Sequence, residues 1–336
     1  MRIAVDGMGG DHAPVEVVKG CVYAINELDI EILILGKKEV LETELTKYQF
    51  DKNKIHIRHT NEAITNEDKP VQGIKSKKDS SMVVGLDMVK NKEVDAFISA
   101  GNTGALLAGS LFRVGRIKGI DRPAIGSVYP TKKGISLLVD AGANVECKPR
   151  NLMEFSLMGR IYVEKVFGRN SPKVGIVNIG NEKGKGNQLV KDSSELLFKK
   201  CPNFIGSVEA REIPDGIVDV IVCDGFVGNV ILKLTEGVAM NMLSMMKEQF
   251  QKKIQYKIGA IMLKPAFREF KKILDYTEYG GAPLLGVDGV VIKAHGSSNA
   301  KAIKNAIRQA VSFVENNVVE LIKDEIFKTG DEDSGK

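Results

Sequence analysis

The chain opens with MRIAVDGMGGDHAP (residues 1–14), and this stretch indicates the fold class of the whole chain. A short apolar run is followed by Gly9 and Gly10, and then by Pro14 as a first helical residue before valines at helical spacing. The two glycines allow backbone N–H groups to turn toward a ligand, as in the anion sites that α/β proteins build between a strand and a helix. The opening therefore predicts a ligand site at the end of a first strand, without naming the ligand.

Seven further runs rich in β-branched residues alternate with helical patterns, and several are apolar almost throughout. Such runs are typical of strands buried on both faces of a sheet. The predicted strands are 31–36, 54–59, 95–101, 134–142, 173–180, 219–225 and 289–296, and the predicted helices are 14–28, 80–91, 103–114, 149–167, 187–200, 228–253 and 298–327. The pattern predicts a three-layer α/β/α fold with a mainly parallel sheet.

The length and composition fit a globular enzyme. With 336 residues, of which 43% are hydrophobic, the chain can bury a sizeable core. We expect a single α/β catalytic domain over 1–328, with a protruding helical hairpin at about 240–275 and a disordered polar tail over 329–336.

The net charge limits which partners the chain suits, and the cysteine pattern indicates its cell compartment. The net charge of +5 is too small to argue for nucleic acid. Four scattered cysteines without a C-x-x-C pair, and the lack of a secretory signal, indicate the cytoplasm. No apolar run approaches the roughly 20 residues that span a bilayer, so we expect no membrane-spanning helix, while attachment to a membrane surface remains open.

Five later strands end in loops that combine glycine with polar residues. They are 97–105, 137–149, 177–187, 221–229 and 293–299. In open parallel sheets the ligand crevice lies outside the carboxyl ends of the strands. We therefore expect these loops to converge with the opening loop on one composite site.

Two of these loops carry side chains that suit an anion. Ser99, Asn102 and Thr103 begin a helix whose free N–H groups can hold phosphate, although an ordinary capped helix explains them equally well. The loop 177–187 adds Glu182, Lys183 and Lys185, which can bring positive charge to an anion or form a solvated turn.

Other chemistries have less support. The chain has neither G-x-x-x-x-G-K-[ST] nor a G-x-G-x-x-G with a ribose-binding acid at the usual distance. Asp6, Asp11 and His12 could ligate a cation, but a turn-stabilising role is favoured and no metal is expected. His295 suits either acid–base chemistry or a structural role. No Ser-His-Asp or Cys-His set has motif support, so covalent catalysis is not favoured.

Seven motifs, quoted in chain order, carry a resemblance to a known family. They are MGGDHAP, SAGNTGA, DAGAN, NIG-x-E-x-x-KGN, DGF-x-GN, YGGAPLLG and KAHGSS. From Met1 to about residue 327 the chain resembles the bacterial phosphate acyltransferases of phospholipid synthesis. The resemblance implies transfer of a long-chain fatty acyl group from acyl carrier protein to inorganic phosphate, without a cofactor. It also implies a fold similar to phosphotransacetylases and isocitrate/isopropylmalate dehydrogenases, and a homodimer. The chain departs at Gly7, where the family has Ala, and at Asn299, where Asp is usual and a catalytic carboxylate is therefore in doubt.

The resemblance suits a reaction in which the ligand itself is the nucleophile. Phosphate is already anionic at neutral pH, so the protein mainly positions it beside the thioester and stabilises the developing oxyanion. Lys185, Asn229 and His295 are the predicted catalytic residues. Lys185 is assigned to phosphate with Asn102 and Thr103, and Asn229 and His295 to the thioester oxygen or the leaving thiolate. The predicted substrate-binding residues are Asp6, Gly9, Gly10, His12, Ser99, Gly101, Asn102, Thr103, Gly104, Asp140, Asn144, Glu182, Asp224 and Ser297.

Residues 246–272 form the main basic segment, with eight basic and two acidic residues. The apolar residues 258–263 are expected to form a tip between two helices that Pro265 separates. An apolar tip flanked by lysines suits anionic lipid headgroups or the acidic acyl carrier protein, and burial at a dimer interface is the alternative. The predicted contact residues are Lys257, Ile258, Ile261, Met262, Leu263 and Lys264.

We expect a cytoplasmic protein, peripheral at the inner face of the plasma membrane, which delivers its product to a membrane-bound glycerol-3-phosphate acyltransferase.

Three other functions remain as alternatives. The first is phosphate transacylation with a short acyl group on coenzyme A. The second is a nicotinamide-dependent dehydrogenase on the related fold, which the missing fingerprint disfavours. The third is a non-catalytic membrane scaffold, which the intact site loops disfavour.

Overall fold

The structure is a computed structural model that describes residues 1–182, 184–274 and 278–334. Lys183, one of the positive charges of the loop 177–187, lies outside the described residues. Within them, eleven strands form one sheet in the order β3-β2-β1-β4-β11-β10-β5-β6-β9-β7-β8. The strands are β1 (Arg2–Asp6), β2 (Glu31–Gly36), β3 (Ile55–His59), β4 (Ala96–Ser99), β5 (Ala124–Thr131), β6 (Gly134–Val139), β7 (Val174–Asn178), β8 (Phe204–Glu209), β9 (Val220–Val222), β10 (Ala282–Leu285) and β11 (Val290–Lys293).

Helices cover both faces of this sheet. They are α1 (Val15–Glu27), α2 (Lys38–Leu45), α3 (Pro70–Ser76), α4 (Ser81–Lys90), α5 (Thr103–Gly109), α6 (Pro149–Val166), α7 (Gln188–Lys200), α8 (Gly225–Gln251), α9 (Ile254–Leu274), α10 (Ala300–Glu315) and α11 (Val318–Ser334). A π-helical turn, Ser110–Val114, continues α5, and a 3₁₀ helix, Ala210–Asp215, follows β8. The predicted three-layer α/β fold with a mainly parallel sheet is confirmed.

The interior strand β1 shows why the sheet needs helices on both sides. Successive side chains of a strand point to opposite faces. Ile3 and Val5 lie in a buried cluster with α1 and α10, whereas Ala4 lies in a second cluster with α4 and α5. All three side chains are at most 1% exposed. The nearly continuous apolar run in the sequence follows from this two-sided burial.

The strand pairing corrects the expectation of one composite site. β10 is antiparallel to both β11 and β5, and β5 is antiparallel to β6. The group β1–β4–β11 therefore runs in the opposite direction to the group β6–β9–β7. Loops after strands of the two groups leave opposite edges of the sheet, so the five predicted loops do not converge with the opening loop on one edge.

Several elements differ from the sequence prediction. β5, β8, β10, α2 and α3 were not predicted. The predicted helix 298–327 is two helices, α10 and α11, because Asn317 between them adopts a left-handed backbone with φ of 51°. Asparagine tolerates this conformation and ends helices in it. The tail predicted as disordered from residue 329 is helical to Ser334, and residues 335 and 336 lie outside the described part.

The long helices α8 and α9 form a hairpin whose turn lies at Lys252 and Lys253. Pro265, expected to separate two helices, lies inside α9. The expected apolar tip at 258–263 is therefore a stretch of helix. Phe250 and Phe267 join the two helices, with ring centroids 5.4 Å apart. No helix in the described ranges is long and apolar enough to cross a membrane.

Close packing fixes the first turn of α8, and substitutions there can test how much this packing contributes to stability. Asp224 caps the helix by accepting a hydrogen bond from the Val227 N–H at 2.8 Å. A Cβ on Gly228 would overlap the backbone oxygen of Asp140, whereas a Cβ on Gly237 meets nothing within 4 Å.

We expect Gly228→Ala to lower the free energy of unfolding by about 1–3 kcal/mol, because the backbone must shift to admit the methyl group. Gly237→Ala in the same helix is the matched control. It should raise the free energy of unfolding by up to about 1 kcal/mol, because alanine has the higher helix propensity. Denaturant unfolding of both variants measures this difference. Equal stability of Gly228→Ala and the wild type would contradict the packing.

Candidate active site

Asp6 organises the edge of the sheet at which β1, β4 and β11 end. Its side chain is 3% exposed. One carboxylate oxygen accepts hydrogen bonds from the Ser81 hydroxyl at 2.6 Å and the Met8 N–H at 3.2 Å, and the other accepts from the Ser99 hydroxyl at 2.7 Å. A buried carboxylate requires such donors, because burial without them is costly. Asp6 thus fixes the ends of β1 and β4 and the start of α4 in one geometry.

The opening loop closes on its neighbours through glycine. A Cβ on Gly9 would lie 2.8 Å from the Gly101 nitrogen, and Gly10 has a φ of +106° that side chains disfavour. The Asp11 N–H donates to the Gly296 carbonyl at 2.8 Å. The loops after β1, β4 and β11 therefore pack directly against one another.

Lys293, the last residue of β11, is the functional candidate that the sequence reasoning missed. It is only 8% exposed, and its ammonium donates to the carbonyl oxygens of Ala100, at 3.3 Å, and Ala294. Burial lowers the pKa of Lys293 to about 8, while the charges of Asp6 and Asp11 act in the opposite direction. The available signal was a lysine at the end of a buried strand, inside the motif KAHGSS.

Lys293 lines a cleft of about 320 Å³ between this edge and α8. Thr103 comes from the start of α5, and His295 comes from the loop after β11. Ser127 comes from β5, and Lys233 and Glu236 come from α8. Residues 279–282 complete the wall. The cleft therefore collects hydroxyl groups, an imidazole, two ammonium groups and the carboxylate of Glu236, which pairs with Lys233 at 2.8 Å.

The imidazole of His295 is suited to donate a hydrogen bond. Its Nδ1 accepts from the Ser297 N–H at 3.2 Å and lies 2.9 Å from the Ser297 hydroxyl. Partial burial, and then the positive charge of Lys233, lower the pKa of His295 below its ordinary value. The lowered pKa favours the neutral ring at pH 7, and because Nδ1 accepts from the Ser297 N–H, the proton of the neutral ring lies on Nε2.

At the start of α5, some of the side chains predicted to hold an anion already form hydrogen bonds within the protein. The Asn102 amide oxygen accepts from the Ala105 N–H at 3.0 Å, and its NH₂ group donates to the Thr65 carbonyl at 3.3 Å. Asn102 is therefore a helix cap, whereas Thr103 faces the cleft. The predicted residues that lie at this edge, in the strand ends, the loops or the start of α5, are Asp6, Gly9, Gly10, His12, Ser99, Gly101, Asn102, Thr103, Gly104, His295 and Ser297.

A second group of predicted residues lies at the ends of β6 and β9. Asp140 is fully buried and accepts from the backbone N–H groups of Ile125 and residues 142–144. Burial raises the pKa of Asp140, against the effect of these hydrogen bonds. Asn144 donates to the Pro123 carbonyl at 2.8 Å, and Asn229 lies beside Gly142. With Asp224 capping α8, most of these polar groups hold their own loops in place.

Lys185 lies in neither group. Its ammonium pairs with Glu182 at 2.7 Å, and its side chain is 50% exposed. The loop follows β7, five strands from β11, which is about 24 Å at the usual spacing of strands. The structure does not bring Lys185 to the cleft, and its assignment to phosphate stays a prediction.

In the described part of the chain, no three His, Cys, Asp or Glu side chains form a group that could hold a metal ion.

Comparison with known proteins identifies relatives of the whole chain. A family model described as fatty acid synthesis protein matches residues 1–321. The chain is 60% identical to a phosphate acyltransferase of Alkaliphilus oremlandii over 99% of both chains, and 56% identical to one of Clostridioides difficile over 99% of this chain and 98% of the relative. A phosphotransacetylase from Streptococcus pyogenes shares the fold, with a TM-score of 0.66 at 16% identity over 94% of each chain.

The geometry of the site can be tested by removing charges near Lys293 and measuring the pKa of its ammonium group. We expect Asp11→Asn to lower the pKa of Lys293 further, because the substitution removes a negative charge that favours the ammonium. Glu236→Gln is the matched control, which should lower the pKa of His295 and leave that of Lys293 unchanged. NMR titration of labelled lysine and histidine side chains measures both. A Lys293 that titrates at the ordinary value of 10.5 would contradict its burial.

Proposed function

The chain belongs to the fatty acid synthesis protein family, as a phosphate acyltransferase, and we propose that it transfers a long-chain fatty acyl group from acyl carrier protein to inorganic phosphate. The observation that carries the proposal is the cleft in which Lys293 and His295 face a common space. An ammonium group and a neutral imidazole are the groups that an anionic nucleophile and a carbonyl oxygen require.

Phosphate binds in this cleft against Lys293, Lys233 and the Thr103 hydroxyl. The thioester carbonyl accepts a hydrogen bond from the Nε2–H of His295, which strengthens as charge develops on the oxygen. A phosphate oxygen forms a bond to the carbonyl carbon, and the carbon–sulfur bond breaks with its electron pair on sulfur. The Lys293 ammonium gives its proton to that sulfur, and the resulting amine takes up the proton of the bound hydrogen phosphate. The products are acyl phosphate and the free thiol of the carrier.

The hairpin of α8 and α9 is proposed as the surface for partners. Ile261 and Met262 are 71% and 77% exposed, with Lys257 and Lys264 on either side. Apolar side chains between lysines suit shallow insertion among anionic headgroups, and the same charges suit acidic acyl carrier protein. Other exposed apolar residues of the hairpin, such as Met245 and Ile254, suit a homodimer interface.

This surface gives the proposed location a reason. The product has an apolar chain and is handed to a membrane-bound glycerol-3-phosphate acyltransferase, so attachment at the inner face of the plasma membrane shortens its transfer. The protein is then cytoplasmic and peripheral.

Lys293→Met tests the proposed chemistry. We expect it to lower turnover by about two to three orders of magnitude, because it removes the charge beside phosphate and the proton donor. Wild-type activity should fall as pH rises through about 8, where the ammonium is lost. The assay mixes purified protein, palmitoyl carrier protein and phosphate and measures acyl phosphate, with short-chain acyl coenzyme A and NAD as comparison substrates. Lys185→Met, assayed beside it, tests the prediction made for that residue.

Full activity of Lys293→Met, or no acyl phosphate from the wild type, would overturn this proposal. Circular dichroism of the variant separates loss of chemistry from loss of folding.

Ile261→Glu combined with Met262→Glu tests the membrane surface. We expect the double variant to stop sedimenting with anionic vesicles while turnover in solution persists, because acidic side chains are repelled by the headgroups. Neutral phosphatidylcholine vesicles are the control for charge. If the double variant sediments with anionic vesicles as well as the wild type does, or loses its oligomeric state in sedimentation velocity, this surface does not meet the membrane.

A further inference from the structure

A second, larger concavity lies between the hairpin and the body of the protein. It has a volume of about 800 Å³. Its lining is almost entirely apolar and consists of Tyr129, Pro214, Leu234, Thr235, Val238, Ala239, Met242, Met246, Leu263, Ala266 and Phe267. The hydroxyl groups of Tyr129 and Thr235 lie 3.1 Å apart and hydrogen bond to each other. This apolar groove therefore offers few polar groups to an incoming ligand.

The apolar groove adjoins the cleft that holds Lys293. Ser127 lines the cleft and Tyr129 lines the groove, and the two residues are on the same face of β5, about 7 Å apart. On α8, Glu236 lines the cleft, and its neighbours Thr235 and Ala239 line the groove. A molecule whose reacting carbonyl lies in the cleft can thus extend directly into the groove.

We infer that the apolar groove holds the hydrocarbon chain of the acyl substrate, an inference that rests on the proposed function. The volume lies within the range of small-molecule sites. From Leu234 to Met246 the groove follows α8 for about 18 Å, which suits a long chain rather than an acetyl group. Met242 and Met246 have flexible, polarisable side chains that adapt to chains of different length.

A second copy of the chain is the competing occupant, because several rim residues are exposed. Leu234 is 64% exposed and Met242 is 59% exposed. The position of the groove next to the cleft favours the acyl chain, since a protein partner has no reason to require a groove that adjoins the cleft lined by Lys293. The oligomeric state decides between the two occupants.

Ala239→Phe places a ring in the groove, and Met240→Phe is its matched control, since Met240 is the next residue of α8, is 73% exposed and does not line the groove. We expect Ala239→Phe to weaken palmitate binding in equilibrium dialysis, and to lower kcat/KM for palmitoyl carrier protein by about tenfold or more. Transfer from butyryl carrier protein should stay near the wild-type rate, because a short chain does not reach the ring. Met240→Phe should leave all three measurements unchanged.

Two results would overturn the inference. One is palmitate binding and a chain-length profile in Ala239→Phe equal to those of the wild type. The other is a change of oligomeric state in sedimentation velocity for Ala239→Phe alone, which would assign the groove to a second copy. If palmitate binds to the wild type and not to Ala239→Phe, but no carrier donates an acyl group to phosphate, the groove stands and the proposed function fails. If transfer occurs with an unchanged chain-length profile, the proposed function stands and the groove fails.

Discussion

The buried carboxylate of Asp6 is the interaction on which the candidate site depends. Its two oxygens hold the hydroxyl groups of Ser81 and Ser99, so that one side chain ties β1, β4 and α4 together. The same charge favours the ammonium form of Lys293 against the effect of burial. A charge buried this deeply requires partners that compensate it, and the three loops around it are consequently held close enough to form a cleft.

The sequence predicted the layers of the fold because burial on both faces leaves a continuous apolar run, as in β1 and β11. It did not predict β10 or β5, which carry Pro283 and Pro130 and do not read as buried strands. Those two strands reverse the direction of the sheet, and strand direction leaves no periodic signal in a sequence. The expected convergence of all loops failed for this reason. Lys293 was missed because a single lysine at a strand end reads as a solvated terminus until burial is known.

The glycine-rich loops after β6 and after β11 look alike in sequence, but their polar groups form different hydrogen bonds. Around β6, Asp140 accepts hydrogen bonds from its own loop and from Ile125, so little of its hydrogen-bonding capacity is left for a ligand. Around β11, Lys293 and His295 line the cleft. Similarity of motif therefore identifies the family, whereas the hydrogen bonds of each loop separate scaffolding from chemistry.

Helix α8 joins these two environments as one continuous rod. It is fixed at Gly228 against the Asp140 carbonyl, passes the cleft at Lys233 and ends at Gln251 in the hairpin. From Gly228, Lys233 lies about 7.5 Å along the axis and Gln251 about 35 Å, at the usual rise per residue. A tilt of the helix about its contact at Gly228 would move Gln251 about five times as far as it moves Lys233 in the wall of the cleft.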